Sequence, residues 1–286
     1  MNKHFALLVA LLLLPTIAKP QVHPDTAKTA PPKILLLVHQ TFLPGKTAAR
    51  EELEVAMSQA CNRLSVPLSW IALDSVTGRK DAVSFDPFDS FASMEVAGEA
   101  WAQVLRDSHQ VARLQEEIND LVASEHAVIA TRRDDVGYRA SSIDLSRARI
   151  LRTLEVRVHP GREKDFVDAF KVLAAAYEKT NSDLPWVVYQ VNSGLPSPTF
   201  IIFVPMHALR QNDDLLSRRQ AIQAAEGEAG FEQMQQIARD AYETTESNIY
   251  AIHPEMSHVP SEFISGDPDF WSPTPELPKP RRKKPD

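Results

Sequence analysis

The sequence predicts an α+β fold made of two tandem copies of one unit, and three observations lead there. First, landmarks recur in order at near-constant spacing. Pro44-Gly45-Lys46 returns as Pro160-Gly161-Arg162 and Trp70 as Trp186, both 116 residues on, and Phe85-Asp86-Pro87-Phe88 returns as Phe203-Val204-Pro205-Met206 at 118. A period this long exceeds any solenoid repeat, so each copy is a small domain. Second, strand-like and helix-like runs follow the same order in both copies. Third, 286 residues with 43% hydrophobic and 24% charged side chains, 21 Pro, nine Gly and one Cys describe a globular chain. That composition excludes a disulfide scaffold, a collagen and a wholly disordered polymer.

The first element is an address. Lys3 and His4 precede the apolar run Phe5 to Leu14, and Thr16-Ile17-Ala18 offers small residues for cleavage after Ala18. The run is shorter than the ~20 residues a membrane span needs. It therefore reads as a signal peptide over residues 1–18, with a periplasmic or secreted product and no membrane span after cleavage. Cys61 then has no intramolecular partner, and its place in an amphipathic helical pattern reads as a buried structural thiol.

Residues 33–135 form the expected first unit. Lys33 to Thr41 is a β-rich run, a Pro-Gly turn follows, and Leu53, Met57, Cys61 and Leu64 recur at helical spacing. Strands are expected near Leu68–Leu73 and Val83–Phe85, a long helical region through Trp101, Leu105, Leu114, Ile118 and Leu121, and a closing strand at His126–Thr131. Residues 136–148, in the polar stretch Arg132 to Arg147, read as the linker. Residues 149–253 repeat the plan. Leu154, Val156 and Val158 alternate with Glu155, Arg157 and His159 on a half-buried strand. Phe166, Phe170, Leu173 and Tyr177 mark a helix, strands are expected at Trp186–Val191 and Thr199–Val204, Phe231, Met234, Ala238 and Ala241 mark the long helix, and Ser247–Ile252 closes the unit. Residues 254–286 read as a Pro-rich C-terminal tail whose Phe263, Ile264, Phe270 and Trp271 can dock.

Strand-helix-strand-strand-helix-strand is the split βαβ, or ferredoxin-like, unit. Its sheet carries helices on one face and leaves the other open, and two such sheets in one chain can cover each other. The expectation is an intramolecular α+β barrel, a pseudo-dimer within one polypeptide.

The strand–Pro-Gly-Lys/Arg–helix segments at Val38–Leu53 and Val156–Phe170 resemble the dimeric α+β barrel superfamily, which includes the antibiotic-biosynthesis monooxygenase-like proteins. The resemblance covers about Lys33 to His253. It implies two sheets paired into a barrel with a cavity between them. The superfamily holds oxygenases, haem-handling enzymes, isomerase-like enzymes and proteins without known activity, so fold does not supply function. No catalytic signature of the family can be placed on these residues.

The sequence lacks a G-x-G, a G-x-S-x-G elbow, an H-E-x-x-H, a C-x-x-C and an EF-hand loop. After signal cleavage 30 basic and 38 acidic residues leave a formal charge of −8, which disfavours nucleic acid as a partner. What remains is the strand face opposite the helices. Glu155 and Arg157 point into the inter-sheet space by alternation, and His39 matches Glu155 through the repeat. These three are the candidate ligand-binding residues, with a closed polar network between the sheets as the alternative. Trp70 and Trp186 read as duplicated core packing or as aromatic walls of the same cavity. His207, at a strand-to-helix junction, reads as a capping or surface residue, and His253-Pro254-Glu255-Met256-Ser257-His258 as a loop; no metal site and no cofactor are expected. The function expected is binding of a small molecule in the inter-sheet cavity. A cofactor-independent or haem-associated oxygenase of the barrel class is one alternative, and a structural or interaction domain without a ligand is the other.

Overall fold

A computed structural model describes residues 29–272. The expected signal segment and the end of the tail lie outside the described residues. The chain runs β1 (Ile34–Phe42), α1 (Thr47–Leu64), β2 (Trp70–Ser75), β3 (Ala82–Phe88), α2 (Phe91–Asp107), α3 (His109–Asn119) and β4 (Val122–Tyr138). Two short 3-10 turns, Ala140–Ser142 and Leu145–Arg147, then lead to β5 (Ile150–Val158), α4 (Glu163–Lys179), β6 (Trp186–Ser193), β7 (Thr199–Met206), α5 (Gln211–Ala241) and β8 (Tyr242–His258). Helices α6 (Ser261–Gly266) and α7 (Pro268–Trp271) follow. The eight strands close into one antiparallel barrel in the order β1-β3-β2-β8-β5-β7-β6-β4. Read from β4, each half is the ferredoxin-like order 4-1-3-2, so two tandem units close one barrel within one chain.

The Pro-Gly turns work the same way twice. Gly45 and Gly161 sit at φ +77° and +84°, a conformation that L side chains rarely adopt, and each turn feeds directly into the unit's first helix. Ser90 starts α2 with a reciprocal cap: its hydroxyl accepts from the Ser93 amide, and the Ser93 hydroxyl accepts from the Ser90 amide. Ser108 ends α2 and caps α3, accepting from the Val111 amide, so the long helical region of the first unit is two helices. Its counterpart α5 bends at Gly227 instead.

The closing strands are longer than the sequence pattern indicates. β4 continues through Arg132–Tyr138, where a linker is expected, and β8 continues through Pro254 to His258, where a loop is expected. The reason is closure of the barrel. The second half of β4 pairs with β6, and that of β8 pairs with β2, so each unit hands a strand to the other's sheet. Both extensions carry an irregularity, between Arg133 and Tyr138 on β4 and opposite Trp70–Ala72 on β8, and Pro254 falls inside the second. A bulge is where a sheet tolerates a residue that cannot donate to the ladder. On β4 the polar composition that mimics a linker is neutralised locally, Arg132 by Asp134 and Arg133 by Asp135.

The barrel interior is a packed apolar core. Leu35, Leu37, Ile71, Leu73, Val83 and Phe85 of the first unit meet Leu151, Tyr189, Ile201, Phe203, Tyr250 and Ile252 of the second. Phe85 and Phe203, the repeat-related phenylalanines, touch edge to face at 5.7 Å, a geometry that suits the ring quadrupoles. One end of the barrel is sealed by chain that follows each unit. Ile143 and Leu145 from the turns after β4, and Phe263 and Trp271 from the helices after β8, join the same core. The Trp271 indole donates to the Ser146 carbonyl at 2.7 Å. Arg149 pairs with Asp267 and lies 3.6 Å over the Phe270 ring. The start of the C-terminal tail is thus part of the fold.

Candidate functional site

The opposite end of the barrel is polar. Strand alternation that buries Leu35 and Leu37 brings His39 to the same interior side, and the alternation that buries Leu151 does the same for Glu155. In the ladder His39 lies directly opposite His126, and Glu155 directly opposite Glu246. These two pairs occupy equivalent places in the two units. The first unit therefore presents two imidazoles to the mouth, and the second presents two carboxylates.

The imidazole pair stacks, with centroids 4.7 Å apart and planes 9° from parallel. Asp81, just before β3, holds His39 Nδ1 at 3.1 Å, which leaves Nε2 for the mouth. Burial and the neighbouring His39 push the His126 titration below the ordinary histidine range. Burial is the main cause that raises Glu155; Glu246 raises it further and His39 opposes the rise. His39 and Glu155 are thus coupled across the mouth. Beneath them the Tyr250 hydroxyl is pushed up to well above the ordinary phenol range by burial and by Asp81, Glu246 and Glu155. A held imidazole opposite a carboxyl group with a raised pKa can exchange hydrogen bonds with a bound molecule.

The other residues singled out in the sequence lie elsewhere. Arg157 is on the Glu155 side of β5 but one step further out, beside the irregularity with β8, and it pairs with Glu243 at 3.1 Å rather than with Glu155. Trp70 and Trp186 lie outside the barrel, beneath the helices. Each indole donates to a carbonyl of the strand handed over by the other unit, Trp70 to Met256 at 2.9 Å and Trp186 to Val136 at 3.2 Å. Each ring rests against its ladder partner, His258 at 5.0 Å and Tyr138 at 4.9 Å. His207 is exposed and bonds the Arg147 carbonyl through Nδ1. His253 and His258 do not converge: His253 contacts Asp74 and Glu255, whereas both nitrogens of His258 are held by Asn62 and Val66. Among the described residues no group of three His, Cys, Asp or Glu side chains is arranged to hold a metal ion.

Three members of the polar end, Asp81, His126 and Glu246, escape the sequence reading. A signal for two of them is present: extending the repeat to the closing strands, at an offset of 120, aligns His126 with Glu246. A second polar group lies under α1. Arg50, only 4% exposed, makes paired bonds to both oxygens of Glu54 at 2.8 Å and one to Asp74 at 2.6 Å, with its guanidinium 5.0 Å from the Phe42 ring centroid. Burial opposes its charge, and the two carboxylates more than offset that and hold it protonated.

No family model matches the sequence, and neither does any curated protein. Solved structures do match in fold. A monooxygenase-like protein from Fusobacterium nucleatum superposes with a TM-score of 0.50 at 10% identity, over 77% of this chain and 91% of that one. A mutant chlorite dismutase from Candidatus Nitrospira defluvii gives 0.46 at 8%, over 84% and 97%. A haem-binding protein from Thermus thermophilus gives 0.42 at 9%, over 78% and 91%. The likeness is one of fold: an α+β barrel, here with both ferredoxin-like units in one polypeptide.

The helix face of the second unit has no room for a histidine-ligated haem. A haem held through histidine needs an open apolar slot beside a free imidazole. The helix face of the second sheet is filled by Phe166, Phe170, Trp186 and Phe200. His253 and His258 are engaged at both ring nitrogens, His39 is held and stacked at the polar mouth, and His109, His126, His159 and His207 lie at the surface.

Proposed function

We propose that the protein is an exported binding protein for a small polar molecule, held at the open end of the barrel between His39 and Glu155. The observation that carries this reading is the contrast between the two ends: one is sealed by Phe263 and Trp271, and the other gathers paired imidazoles, paired carboxylates and Asp81 around an apolar floor. Opposite hydrogen-bonding characters on the two rims suit a molecule with both donors and acceptors. The site is a shallow mouth over a packed interior, not a deep inter-sheet cavity. An oxygenase reading rests on likeness of fold alone. Export is supported by the apolar run Phe5–Leu14 and the small residues before Lys19.

Ligand-observed NMR of the mature chain against a library of small polar metabolites tests the binding reading. A true ligand loses at least about tenfold in affinity in both His39→Ala and Glu155→Gln, while the melting temperature holds. Ligands indifferent to both variants would place binding elsewhere and sink the proposal. N-terminal sequencing of the exported protein should start near Lys19, and an intact Met1 in that fraction would refute processing.

A further inference from the structure

The space between helix and sheet differs between the two units, and the difference centres on one carboxyl group. In the second unit the outer sheet positions Val156, Val188, Phe200 and Ile202 are buried against α4. In the first, Ser84 and Phe88 are half-buried where the second unit's Ile202 and Met206 are buried, while Leu36, Val38 and Asp86 are half-buried as their counterparts Arg152, Leu154 and Val204 are. Helix α2, which contacts β3, has no fully buried residue in its 17. By the repeat, Asp86 stands where the second unit has Val204, and Ser84 stands where it has Ile202.

Asp86 is crowded by protein, yet half its bonding capacity is unused. Oδ1 accepts from the Ser84 hydroxyl. Oδ2 has no hydrogen-bond partner among the described residues, and it is not sealed from solvent. Burial raises the group to about 7, Ser84 alone opposes that, and no charged side chain from β1, β3 or α2 contributes. A carboxylate in an apolar layer without a cation is costly to the fold, since buried charges ordinarily come with partners.

We propose that the crevice between α2 and the outer face of β3 is a second site, distinct from the barrel mouth, in which Asp86 receives the ammonium group of an apolar amine while Leu36 and Phe88 cover its hydrocarbon. The amine supplies both the missing cation and the missing apolar cover.

Benzylamine is the probe, with benzyl alcohol as its uncharged counterpart, and calorimetric titration of the full mature chain is the measurement. Benzylamine binds saturably, and about tenfold more tightly at pH 8 than at pH 6, because the carboxyl must lose its proton to pair with the ammonium. Benzyl alcohol binds at least about tenfold more weakly at pH 8. Asp86→Val, the second unit's own residue, and Asp86→Asn, which keeps the shape, both lose the amine by at least about tenfold while each still melts cooperatively. His39→Ala leaves amine binding unchanged, which separates this site from the mouth. Absence of saturable binding, equal binding of the alcohol, retention by Asp86→Asn, or loss in His39→Ala would each overturn the proposal.

Discussion

The two helix–sheet interfaces occupy equivalent places and are built on opposite principles. In the second unit α4 lays Phe166 and Phe170 on the sheet, with Phe166 stacked on Phe200 at 4.0 Å. The Pro-Gly turns fix the equivalence of α1 and α4, so Arg50 stands for Phe166, Glu54 for Phe170 and Cys61 for Tyr177. Where one half buries rings, the other buries a guanidinium clamped between two carboxylates. The small residues correspond: Ala60 and Ala176 are both fully buried at matching positions. One backbone plan therefore accepts either an apolar seam or a satisfied charge network. What it does not accept is half of either, since an uncompensated buried charge costs far more than the pair gains.

The largest expected effects come from breaking each seam. Phe166→Ala should cost about 3–5 kcal/mol, through lost transfer energy and the cavity left behind. Arg50→Ala should cost a similar ~3–5 kcal/mol for the opposite reason, because Glu54 loses its cation and Asp74 keeps only His253. The double replacement Arg50→Phe with Glu54→Phe imports the second unit's solution and leaves Asp74 to His253. It should cost far less than Arg50→Ala alone. Urea unfolding of the three variants measures this, and a double variant as unstable as the single one would show that the interfaces are not interchangeable.

Asp86 sharpens the comparison through pH. Its carboxyl is raised from an ordinary value near 3.8 to about 7 by burial. The folded state thus holds a proton that the unfolded state releases earlier, so stability falls as pH rises from about 4 to about 7 and stays low above that. The full penalty is at most about 4 kcal/mol, from 1.36 kcal/mol per pKa unit. Asp86→Val, which copies Val204, should remove this slope and melt higher than the parent at pH 8. Thermal melts from pH 4 to pH 8 check both points; an unchanged slope would mean that another group titrates.

The tandem units were legible because their landmarks are residues with narrow structural duties: a Pro-Gly turn needing positive φ, a Trp needing a carbonyl, and a Phe-x-Pro strand meeting its twin in the core. His39 and Glu155 were legible because period-two alternation fixes a side. The extended halves of β4 and β8 were not, because Arg132–Asp135 neutralise one another within the strand and read as linker, and Pro254 sits in an irregularity that only pairing with β2 creates. Arg50 was hidden for a similar reason. Helical periodicity assigns an arginine to solvent, and only the carboxylates brought by its own next turn and by β2 make its burial tolerable.

The smallest effect lies at the mouth, where the units again differ: stacked imidazoles in one and opposed carboxylates in the other. Like charges directly opposite on neighbouring strands are destabilising by about 0.2–1 kcal/mol. Glu246→Gln should therefore stabilise by no more than that, and less at high salt, because Glu246 is exposed. Its sharper readout is the titration of Glu155. Burial is the first cause of that group's raised pKa, with Glu246 second and His39 opposing. Glu246→Gln should lower the Glu155 pKa but leave it above the ordinary glutamate range, and His39→Ala should raise it further. Carboxyl-carbon NMR titrations of the two variants give both signs. A Glu155 that moves in neither variant is not coupled across the mouth, and the two units would then meet there without acting as one site.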